Sequence, residues 1–104
     1  MLMSNIEIIP GKTITASHGI ASGSTVRAKH VGRDIMAGLK NMVGGELRGY
    51  TELLEESRAE AIARMQAQAQ QMGANAIVNV RFSTSSVAVG AAEIYVYGTA
   101  VTVD

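Results

Sequence analysis

The 104-residue sequence predicts an α+β fold, an antiparallel-rich β-sheet backed by one long helix and a shorter preceding helix. Three observations carry that prediction. Tyr50, Leu54, Ser57, Ala61, Met65, Gln68 or Ala69, and Met72 recur at the spacing of one helical face. Residues 76–83 alternate in strand fashion, and residues 93–103 form a second β-branched and aromatic run. Glycines at 44, 45 and 73 stand where these segments must begin or end.

The length fits one domain, residues 1–104, and leaves no room for a second core. Hydrophobic residues make up 47% of the chain, with one Phe, three Tyr and no Trp, so aliphatic side chains and Ala must fill the interior. Nine basic residues balance nine acidic ones, which removes the long-range field that draws a chain to nucleic acid or anionic membrane. The absence of cysteine excludes disulfides, thiol redox chemistry and thiolate metal sites within the chain. Residues 1–12 lack a basic segment followed by a sustained apolar run, so the expectation is a soluble cytoplasmic protein.

In chain order, residues 5–9 and 13–17 read as a hairpin turned at Pro10-Gly11. Residues 19–25 are dense in Gly and Ser and read as a loop, followed by a short alternating strand at Val26, Ala28 and His30. Ile35, Met36, Leu39, Met42 and Val43 share a helical face, and Gly44-Gly45 stops that helix. The long helix then spans about residues 46–72, with Thr51 as an alternative N-cap, Glu52, Glu55 and Glu56 toward its positive end, and a Glu60–Arg64 pair. Gly73 suits the left-handed residue after a helix. Beyond it, Ala76, Val78, Val80 and Phe82 share one strand face, and residues 84–92 connect to the final strand.

That final strand is apolar on both sides. Ile94, Val96, Gly98 and Ala100 lie on one, and Tyr95, Tyr97, Thr99, Val101 and Val103 on the other. A sheet covered by one helical layer needs a single apolar face, so the second predicts a subunit interface through Tyr95, Tyr97 and Val101.

Gly23, Gly32-Arg33-Asp34 with Ala37-Gly38, Val43-Gly44-Gly45, Tyr50, Arg58 and Ala61, Gly73-Ala74-Asn75-Ala76, and Gly98-Thr99-Ala100-Val101 follow one another in an order that spans nearly the whole chain. In these features the sequence resembles the YbjQ-like small proteins, a family described as "putative heavy-metal-binding". The resemblance implies an α+β subunit assembled into a ring-like homo-oligomer, a pentamer, and a divalent transition metal as the candidate cofactor. His18 stands where relatives can place a cysteine, which keeps a nitrogen ligand and removes the soft one.

The residues offer few candidate chemistries. His18 and His30 are the only imidazoles, and a zinc site needs three or four converging ligands, so a site within one chain would require Asp34 or Glu93 to join them. A ring offers another route, since one His18 per copy could line a symmetry axis. Ordinary surface or hydrogen-bonded histidines are the competing reading. Arg33 and Asp34 fit a helix start, and Arg27, Lys29, His30 and Arg33 form a basic cluster that suits either a small anion or a charged strand edge. Gly19, Gly23 and their serines resemble an anion cradle in composition without any phosphate-loop motif. Ser17 beside His18 lacks an orienting acid, and Met36, Met42, Met65 and Met72 lie on apolar stripes as gap-fillers.

The sequence thus reads as a non-enzymatic, self-associating protein that binds a heavy-metal ion or small anion between subunits. His18, Gly23, Arg33, Asp34 and Tyr50 are the candidate ligand-binding residues, with His18 the candidate metal ligand. An enzyme site assembled across the interface from His18, Arg33, Asp34 and Tyr50, or a ligand-free adaptor, is the alternative.

Overall fold

The structure is a computed structural model, and it describes residues 1–28, 42–43, 46–88 and 91–104, with side chains at 1–26, 51–88 and 91–104. The expected shorter helix falls largely outside these residues. At its end, Met42–Val43 (β3) is a two-residue strand paired antiparallel with Glu46–Leu47 (β4), so Met42 and Val43 are not helical. The expected helix stop at Gly44-Gly45 lies outside the described residues. The long helix α1 therefore begins at Arg48 and runs to Gln71, with Thr51 inside it instead of capping it.

The main sheet comprises β1 (Leu2–Met3), β2 (Ile14–Ala28), β5 (Ala76–Ala88) and β6 (Ala91–Val103) in the order β1-β5-β6-β2. It is mixed rather than antiparallel-rich, because β1 runs parallel to β5 while β5–β6 and β6–β2 are antiparallel. The expected N-terminal hairpin does not form. Residues 4–6 instead run beside β5, with Ser4 N–H donating to Ile77 O, Asn79 N–H to Ile6 O, and Val80 N–H to Ser4 O. Residues 84–88 extend β5 instead of forming a loop, since Ser, Thr and Val pair readily along a long hairpin.

The largest departure lies at residues 19–25, expected as a loop and found inside β2. Their small side chains serve packing. A Cβ on Gly23 would overlap Ala61 O and lie 2.6 Å from Met65 N, so only glycine lets α1 lie this close to the strand. Ala21 and Thr25, two residues to either side, are buried in the same contact. Thr25 Oγ1 donates to Ser57 O (3.1 Å), Ser22 N–H to Gln68 Oε1 (2.6 Å), and Arg64 Nη1 to Ser24 O (2.6 Å). Helix positions 57, 61, 64, 65 and 68 all face β2, the i, i+4, i+7, i+8, i+11 pattern of one stripe. Glu60 pairs with Arg64 as expected.

The helix-side core contains Ala21, Ala61, Met65, Ala69, Ile77, Ile94, Val96 and Ala100, edged by Leu54, Ile62, Met72 and Val80. A second cluster, Ile9, Ala76, Val78, Val101 and Val103, lies on the other face. Residues 76–82 do not keep the single alternation expected of them, because a bulge between Val78 and Arg81 sets Asn79 and Val80 opposite Gly98. Ile77 and Val80 thereby both reach the helix side. Asn79 adopts φ 53°, and Gly98 makes room, since a Cβ there would lie 2.7 Å from Ile77 Cγ2 and 2.9 Å from Val78 O. At its end, α1 closes as expected with a left-handed Gly73 (φ 92°), the Ala74 N–H bonding Ala69 O and the Gly73 N–H bonding Gln70 O.

Two predictions follow from this packing. Gly23→Ala should lower the unfolding free energy by about 2–3 kcal/mol in denaturant titration, because the colliding atoms are helix backbone and cannot rotate away. At the bulge, Asn79→Gly should melt near wild type, whereas Asn79→Val should cost about 1–3 kcal/mol, the usual penalty for a β-branched residue held at positive φ.

Candidate functional site

His18 sits at the irregularity of β2 between Ser17 and Gly19, whose pairing partners are the adjacent residues Val101 and Ala100. The ring is half-buried, its Nε2 lies 2.7 Å from Thr102 Oγ1, and its Cε1 lies against Gly73. Thr102 Oγ1 also lies 3.4 Å from Gly73 O, so this hydroxyl ties β2, β6 and the end of α1 together. The other ring nitrogen, Nδ1, makes no hydrogen bond among the described residues.

Among the described residues this environment is not a metal centre. No group of three His, Cys, Asp or Glu side chains converges among the described residues. Glu93, one of the expected co-ligands, pairs with Val26 near the far end of β6 and accepts from Ser85 Oγ (3.4 Å). Val26 and His18 are eight residues apart along β2, about 25 Å at strand rise. Asp34 and His30, like Arg33, lie outside the described residues.

The remaining expected residues are dispersed. Gly23, read from composition as part of an anion cradle, is buried under α1 because the strand and helix touch there. Tyr50 lies in the first turn of α1 and His18 beside its last, so within one chain they are separated by roughly 35 Å of helix. The cross-interface quartet is thus not assembled in one subunit. Tyr95 and Tyr97 do share the sheet face away from α1, with ring centroids 5.5 Å apart. Val101, expected with them at an interface, is only 2% exposed because it packs in one cluster with Ile9 of the same chain.

Sequence reasoning missed a different feature. α1 packs mainly on β2, and among the described residues nothing else covers the helix-side face of the far half of β5 and β6. A groove of about 740 Å³ results, lined by Leu54 and Arg58 of α1, by Phe82, Thr84, Ser85 and Ser86 of β5, and by Ala92 and Ile94 of β6. Phe82 is 48% exposed there. The available signal was Phe82, the chain's one Phe, set in a run of serines and threonines.

No described helix is long and apolar enough to cross a membrane. A UPF0145 protein of Hahella chejuensis is 69% identical over 104 residues, covering all of both chains. One from Acinetobacter baylyi is 67% identical over 95 residues, 91% of this chain and 88% of the other. One from Methanosarcina acetivorans is 56% identical over 101 residues, 97% and 95% of the two chains. A Pediococcus pentosaceus protein of unknown function in the DUF74 family shares the fold, with a TM-score of 0.70 at 16% identity over 100% of this chain and 98% of its own. The YbjQ-like family model, described as "Putative heavy-metal-binding", matches residues 1–104. With whole-length relatives at such identity, the chain belongs to this family, that of the UPF0145 proteins.

Proposed function

We propose that this chain is a non-enzymatic subunit of a cyclic homo-oligomer that binds a small ligand, a heavy-metal ion or a small anion. The observation that carries the reading is the sheet face away from α1. Its near half is covered by Ile9, but its far half presents Ile20 (71% exposed), Val26 (60%) and Tyr97 (38%) beside Tyr95. An apolar row of this kind on an ordered sheet is what a subunit contact would remove from water. The two-faced final strand and the ring implied by the family resemblance support the same assembly.

A metal would need nitrogen ligands from several copies. One His18 per copy lining a shared axis would supply such a set in a ring. An enzymatic reading would need His18 of one copy to meet Tyr50 of another, since the two stand at opposite ends of one helix.

Light scattering coupled to size exclusion should give a mass near five times the 10.9 kDa chain. Adding Ile20→Glu and Tyr97→Glu together should yield a folded monomer, and a wild-type monomer at micromolar concentration would sink the assembly. Calorimetric titration with Zn²⁺, Cu²⁺ and Ni²⁺ tests the ligand. Saturable binding that disappears in His18→Ala places the metal at the histidine, whereas no saturable heat removes metal from the reading and leaves the anion.

A further inference from the structure

The groove between α1 and the far half of β5 and β6 combines an apolar floor with a cation. Phe82, Ala92 and Ile94 supply the floor and Leu54 one wall. Arg58 is the charged residue among those lining it, and among the described residues no hydrogen bond or ion pair engages its guanidinium. Thr84 Oγ1 is likewise unengaged among the described residues, while Ser86 Oγ bonds Ala88 O at 3.4 Å. Glu93 takes the Ser85 hydroxyl and belongs to the row of Tyr95 on the other face, while Glu55, one turn before Arg58 on α1, forms no ion pair with it.

These features select a ligand class. A bare metal cation finds no His, Cys, Asp or Glu among the lining residues and meets a guanidinium instead. A fully polar anion would gain from Arg58 but leave Phe82, Leu54 and Ile94 wet. A volume of about 740 Å³ is in the range of small-molecule sites, in which apolar walls hold the body of a ligand and one or two polar groups orient it. A guanidinium receives a carboxylate or sulfonate through two parallel N–H donors, and the Thr84 hydroxyl can supply a further hydrogen bond.

We propose that this groove binds a small organic anion with an aromatic or aliphatic body, the body against Phe82 and Ile94 and the acid group on Arg58. The inference rests on the reading of the chain as a binding protein and deepens it by naming the ligand class. It also separates two sites, since a metal held by His18 would lie near the opposite end of α1 from this groove.

The fluorescent anion 8-anilinonaphthalene-1-sulfonate and its uncharged counterpart N-phenyl-1-naphthylamine share an aromatic body and differ by the sulfonate. Wild-type protein should bind the anion saturably at one site per chain. Arg58→Gln, a substitution on an exposed helix surface, should weaken the anion about tenfold and leave the neutral dye within about twofold. Phe82→Ser should weaken both. Equal affinity for the anion in Arg58→Gln, or the absence of saturable binding, would overturn the proposal. Light scattering on the same samples distinguishes the two failures: an intact oligomer without a dye site removes the groove alone, and a monomer with a working dye site removes the assembly alone.

Discussion

The close approach of α1 to β2 at Gly23 is the constraint on which the rest of the structure depends. Where a side chain would stand, the strand instead meets the carbonyl of Ala61 and the amide of Met65. Ala21, Ala61 and Ala69 keep the surrounding layer thin, and Met65 fills the space beside it. Burial here is therefore achieved by proximity of backbones rather than by bulky side chains, which a chain with one Phe and no Trp could not supply. The polar bonds from Thr25, Ser22 and Arg64 fix the same register along the helix. Arg64 and Gln68 also occupy backbone groups of β2, which has no strand on its other side among the described residues.

Placing the helix over one side of the sheet has a consequence at the other. Among the described residues no helix covers the far half of β5 and β6, and Phe82 is left exposed next to Arg58. On the reverse face the bulge at Asn79 has a comparable effect. It brings Val80 round to the helix side, while Val78 keeps its place beside Ala76 in the cluster with Ile9, and the first residues of the chain bond alongside β5. That N-terminal cover ends before the tyrosines. Both exposed surfaces are thus by-products of the two places where backbone geometry, glycine at 23 and the bulge at 79, overrides simple layering.

The family description names heavy metals, and the described residues of one subunit do not form a heavy-metal site. His18 is engaged by Thr102 in a contact that also ties down the end of α1, which gives the imidazole a structural task whether or not a metal is present. The groove, by contrast, carries a cation and the hydroxyls of Thr84 and Ser86 over an apolar floor. Its chemistry suits an anion, so the surface most like a small-molecule site and the residue most like a metal ligand lie far apart in this fold.

Much of the architecture was legible in the sequence because it depends on periodicity and on local backbone preference. The stripe through Leu54, Ser57, Ala61, Met65 and Met72, the glycine stop at 73, the Glu60–Arg64 pair and the two faces of the final strand all follow from residues within a few positions of one another. What only the tertiary structure decided depends on partners distant in sequence. Residues 19–25 look like a loop because glycine and serine favour loops, but α1 selects them as a strand by needing small side chains beneath Ala61. Val101 looks available to a neighbour until Ile9 is folded over it. The Arg58 groove has no sequence signature, since its walls come from three elements and its opening is set by where the helix does not lie.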